Sequence, residues 1–129
     1  MNIVHWNPWR ELDDARATLA RSEWLPPVDI TETEAAYRID VELPAVAADD
    51  VNVSVKAGVL TVSGERKSES ESDEGKRHRV ERRWGRFSRS FRLPDNVDES
   101  RIEARAKDGV LYVTVAKKEQ ARPRRIEVH

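Results

Sequence analysis

The chain is expected to be all-β, an antiparallel sandwich preceded by a short helical or disordered segment and followed by an extended tail. Three observations point there. From about residue 28 to 118, apolar and polar residues alternate in short runs, the signature of strands with one buried and one solvated face. Asp108-Gly109 separates two of these runs, and both residue types tolerate the positive φ that a two-residue hairpin requires. Charged residues make up 36% of the 129 positions and apolar residues 38%, so the apolar groups must be concentrated in short stretches.

The elements follow in order. In residues 1–27, Asn7 and Pro8 read as an N-cap and first helical position. Trp9, Leu12, Ala15 and Leu19 then recur at helical spacing until Pro26-Pro27 ends the segment. Residues 28–118 form the sandwich. Tyr37, Ile39, Val41 and Leu43 alternate with Arg38, Asp40 and Glu42, and Val51, Val53 and Val55 with Asn52 and Ser54. Leu60 and Val62 follow Gly58, and Phe87, Phe91 and Leu93 alternate with Ser88, Ser90 and Arg92. Ile102, Ala104 and Ala106, then Leu111, Val113 and Val115, complete the set. Pro44 and Pro94 fall at strand ends, where a missing N–H is tolerated. Glu65 to Arg79 is too polar for a core and reads as a long loop. In the tail, residues 119–129, Pro123 favours extended chain, which puts Ile126 and Val128 on one side.

Composition narrows the function classes. The net charge of −1, from 23 basic and 24 acidic residues, gives no global field for nucleic acid or anionic lipid. Zero cysteines exclude disulfides, zinc-thiolate sites and thiol catalysis, and are compatible with a reducing cytosol. No run approaches the roughly 20 apolar residues of a membrane span, and the acidic N-terminal stretch is unlike a secretory signal. His5, His78 and His129 are far apart, and Gly58 and Gly64 lack the lysine and spacing of a phosphate loop. The expectation is therefore no cofactor, no metal and no catalytic set. The basic run Lys117, Lys118, Arg122, Arg124 and Arg125 reads as a solubility device beside the apolar tail residues.

Several stretches together resemble one family. Ala104 to Leu111 matches A-x-x-x-n-G-V-L, and Leu43-Pro44-Ala45-Val46 resembles L-P-G-V with alanine in place of glycine. Val59 to Arg66 is similar to L-x-I-x-G-E, and Glu81 to Pro94 is similar to E-R-x-x-G-x-F-x-R-x-F-x-L-P. With Ile126-Glu127-Val128 as a terminal I-x-I/V motif, the order matches the α-crystallin domain of bacterial-type small heat-shock proteins. The resemblance implies an immunoglobulin-like sandwich and an ATP-independent, cytoplasmic holdase. Its partners are unfolded or aggregation-prone clients and further copies of itself, first as a dimer and then as a larger oligomer.

The resemblance also assigns candidate residues. Ile126 and Val128 become two knobs of a strand that docks on a neighbouring subunit. Spacing alone leaves open a tail that folds back or frays. The receiving groove is placed between the strand of Val51, Val53 and Val55 and the strand of Ile102 and Ala104; alternation leaves open which side chains line it and which face the interior. The loop of residues 65–82 is expected to carry an exchanged dimerisation strand at His78, Val80 and Arg82, covering a sheet edge that is otherwise an aggregation hazard. Composition alone makes the same loop a solvated linker. Arg89 shares parity with Phe87 and Phe91, where an unpaired charge is costly. Parity alone leaves open an outward side chain at an edge or bulge, or one that snorkels to solvent. The resemblance implies a place near the dimer interface, where Arg89 is expected to pair with a carboxylate. Trp6, Trp9, Leu12, Leu19 and Trp24 are expected to meet clients and sister subunits; the alternative is a helix docked on its own domain. Two other classes compete: a sandwich co-chaperone that binds one folded partner and does not need the tail, and a small hydrolase, for which no nucleophile, base and orienting acid converge.

Overall fold

The computed structural model describes residues 24–67, 75–119 and 125–129. Among the described residues, seven strands form two antiparallel sheets: β1 (Val28–Glu32), β2 (Ala36–Glu42), β3 (Val51–Lys56), β4 (Val59–Arg66), β5 (Gly85–Arg92), β6 (Val97–Lys107) and β7 (Val110–Lys117). One sheet has the order β1-β2-β7-β6, the other β3-β4-β5. A short 3-10 turn at Ala48–Asp50 leads into β3.

Period-two alternation sets which residues meet between the layers. Ile39, Val41, Val113 and Val115 from one sheet and Leu60, Val62, Phe87 and Phe91 from the other are all buried and form one core. Full burial of each such side chain stabilises by roughly 1.5–3 kcal/mol. Register follows from two tight hairpins. Ala57-Gly58 (φ 52 and 76°) joins β3 to β4, and Asp108-Gly109 (φ 53 and 77°) joins β6 to β7. Positive φ at both positions matches the right-handed twist of the flanking strands, so Lys56 faces Val59 and Lys107 faces Val110.

Among the described residues β1 pairs with β2 alone. Lys117, buried on β7, reaches it across the layer edge: its Nζ lies 2.6 Å from Glu32 Oε2 and 5.0 Å from the Tyr37 ring centroid. Tyr37 in turn exchanges hydrogen bonds with Asn96 at 3.1–3.2 Å.

The packed unit starts before the expected boundary at residue 28. Trp24 is 6% exposed and Pro26 is fully buried. The Trp24 indole N–H donates to Gly85 O at 2.9 Å, and its ring meets Phe87 edge to face at 5.2 Å. The Arg66 guanidinium lies 4.1 Å from the centroid of the same ring. Trp24 is thus a core residue and not a free apolar group; a large ring with one donor is most stable where both are satisfied. Trp6, Trp9, Leu12 and Leu19 lie outside the described residues.

Candidate docking surfaces at the sandwich edge

A two-sheet sandwich leaves four strand edges, and here β3 and β6 lie on the same side. Between them runs a cleft of about 370 Å³. Its apolar wall comes from Val51 and Val53 on β3, Ala104 and Ala106 on β6, and Val46 and Leu111 beside them. The valines are half-buried and the alanines exposed. Small side chains on β6 keep the cleft open: Ala104 pairs with Val113 and Ala106 with Leu111 across the ladder, and Lys107 and Asp108 add a polar end. Val55 and Ile102, also expected in the groove, do not line this cleft; like Val51 and Val53 they pack against the core. Ala106 and Val46 line the cleft although the sequence reading did not place them there. Both stand in the quoted patterns, but only the splay of the two sheets brings them to it.

The remaining candidates do not converge on this cleft in a single chain. Ile126 and Val128 are 79% and 95% exposed. His78, Val80 and Arg82 are exposed and lie outside any strand, with Val80 at 49%. Arg89 is half-buried on β5. Its Nη1 donates to Pro26 O at 2.7 Å, and its guanidinium sits 5.5 Å from the Phe91 ring centroid. Within the chain, then, an inward-facing arginine is stabilised by a carbonyl of the incoming segment and an aromatic face. Among the described residues no group of three or more His, Cys, Asp or Glu is arranged to hold a metal, and no helix is long and apolar enough to cross a membrane.

Residues 29–129 match the Hsp20/alpha crystallin family. The chain belongs to this family. Small heat shock protein C4 of Rickettsia felis is 40% identical over 103 residues, which are 80% of this chain and 63% of that protein. The 17.8 kDa class II heat shock protein of Zea mays is 44% identical over 119 residues, 89% of this chain and 70% of that one. The chain therefore spans about two thirds of the length of these relatives. Among solved structures, a small heat-shock protein from Xylella fastidiosa with a distinct high order structure superposes with a TM-score of 0.72 at 39% identity, over 84% of this chain and 99% of that one. Heat shock protein 16.0 from Schizosaccharomyces pombe gives 0.73 at 39% identity, over 83% and 99%. The antiparallel sandwich described above is the fold of these small heat-shock proteins.

Proposed function

We propose that this member of the small heat-shock family is an ATP-independent holdase: it binds partly unfolded proteins through apolar surface and competes with their self-association. Such an activity is mass action and involves no bond chemistry. The observation that carries the reading is the apolar cleft between two unpaired strand edges, in a chain whose tail presents two exposed apolar side chains two residues apart. In extended chain that spacing is about 6.6 Å, the same as between Val51 and Val53 along β3. Ile126 and Val128 of one subunit fill the cleft of the next, while main-chain hydrogen bonds use the free edges. Burying both side chains contributes roughly 3–5 kcal/mol before the cost of ordering the tail, a contact that is strong in an assembly and breakable singly.

Dimers form one level below, when the stretch His78 to Arg82 pairs with the exposed edge of β1 on a second subunit. Arg89, which donates to Pro26 O within the chain, pairs with a carboxylate in that dimer. Clients meet the segment of Trp6, Trp9, Leu12 and Leu19; Trp24 is left out because it is buried. No nucleic acid, membrane or cofactor takes part, and the cytoplasm is the proposed compartment.

Light scattering on the intact chain and on Ile126→Ala/Val128→Ala tests the assembly, with heat-induced aggregation of a model client as the second readout. The proposal expects a large particle that falls to dimers in the double variant, and client protection by the intact chain. A monomer in both cases, without protection, would falsify it and favour a co-chaperone that binds one folded partner.

A further inference from the structure

A second surface lies at the foot of the long loop, next to the apolar cleft, since Ala45 of the one adjoins Val46 of the other in sequence. Arg66 and Lys67 at the end of β4 meet Arg77, Arg82 and Arg83 from the loop around a cleft of about 100 Å³, with Trp84 and Ala45 completing the wall. Five cations converge there and, among the described residues, no carboxylate lines the cleft. Among the described residues, Lys67 pairs with Asp50 at 3.3 Å. Arg66 is held rigidly: its guanidinium stacks on buried Trp24, and Nη1 donates to Pro44 O at 3.4 Å. Burial, and then the charge of Arg82, hold the Arg66 guanidinium below its ordinary value, as expected where like charges face one another. Arg77 lies 6.0 Å from the ring centroid of Trp84, which is 43% exposed.

A cluster of guanidinium forks, one of them immobilised, is suited to an oxyanion, which it meets with charge-assisted and bidentate hydrogen bonds. The cleft has room for phosphate groups and too little for a folded partner. We propose that the Arg66, Lys67, Arg77, Arg82 and Arg83 cluster is a binding site for a multivalent phosphate anion, which bridges the loop to β4 of its own chain. The bound anion removes the repulsion among the five cations. It thereby favours the loop folded against its own domain, and this consequence rests on the proposed strand exchange: the anion binds the self-docked loop better than the exchanged one, and so shifts dimers toward monomers.

The test titrates inorganic triphosphate into the full chain by calorimetry at matched ionic strength, with chloride as the reference salt. The comparison variant is Arg77→Gln/Arg83→Gln, whose side chains are exposed. The site expects saturable binding, weakened about tenfold or more in the variant. A peptide of six glutamates serves as the carboxylate arm and is expected to bind more weakly than triphosphate. Equal binding by the variant, preference for the peptide, or no binding beyond the chloride reference overturns the site. Sedimentation then separates the two ideas. Variant-sensitive binding that lowers dimer content upholds both, whereas the same binding with unchanged dimer content upholds the site and overturns its coupling to dimer formation.

Discussion

Ala45, Ala57 and Asp108 adopt φ of 60, 52 and 53°, a region in which a Cβ crowds the following carbonyl by roughly 1–2 kcal/mol. Asp108 compensates because Asp tolerates this region through local hydrogen bonding. Alanine has no such recourse. Ala45→Gly and Ala57→Gly are each expected to stabilise by about 0.5–1 kcal/mol, after the entropic cost of glycine in the unfolded chain; chemical denaturation monitored by circular dichroism measures this. Asp98 gives a pH-dependent case. Its carboxylate accepts from Ser100 Oγ at 2.6 Å and from Ser100 N at 3.0 Å, and the side-chain bond, then the backbone bond, lower its pKa. A depressed carboxyl contributes stability that is present above its unfolded value of about 3.9 and is lost as pH falls through the lower folded value. NMR titration of Ser100→Ala is expected to move the Asp98 pKa upward, and to shrink the part of the acid destabilisation that depends on Asp98. The Asp108-Gly109 turn was legible from residue types alone; the strained turn at Ala57 was not, because alanine carries no turn signal and only the pairing of β3 with β4 forces it there.

Gly64 shows what an element demands of a single position. It sits on β4 opposite Val51 and Phe87, and a Cβ there would overlap Asp50 O and approach Phe87 Cζ to 2.9 Å. Gly64→Ala is expected to cost about 1–3 kcal/mol, through a displaced Phe87 ring and a shifted entry into β3; the thermal midpoint is the measurement, with Gly75→Ala, where a Cβ meets nothing within 4 Å, as the control. Strand identity was legible because period two survives in β2, β4 and β7, whose inward residues are nearly all apolar. β6 was only half legible. Its register shifts between Val97 and Ile102, so the residues around Asp98 and Ser100 do not follow the alternation. Val51, Val53 and Val55 share one period and all pack against the core, yet of the three only Val51 and Val53 also line the cleft.

At the scale of the whole molecule, Trp24 ties the segment before β1 to the second sheet. Through Gly85, Phe87 and Arg66 it bridges residues roughly forty to sixty apart in sequence, across the end of the sandwich. Trp24→Ala is expected to destabilise by about 3–5 kcal/mol, as for other large-to-small changes in a core, and Trp24→Phe by less, since it keeps the ring contact and loses only the N–H to Gly85; calorimetric unfolding of both variants checks the order. The sequence by itself determined that the chain is an antiparallel sandwich of the small heat-shock family, because alternation, turn dipeptides and family motifs are local and survive without knowledge of what packs on what. Tertiary structure alone decided that Trp24 is core, that Ala106 and Val46 line the cleft beside β3 while Val55 and Ile102 do not, and that Arg66 and Lys67 stand beside Arg77, Arg82 and Arg83. Each of these depends on distances between residues far apart in the chain, and a pattern of neighbours along a strand holds no information about the spacing between sheets.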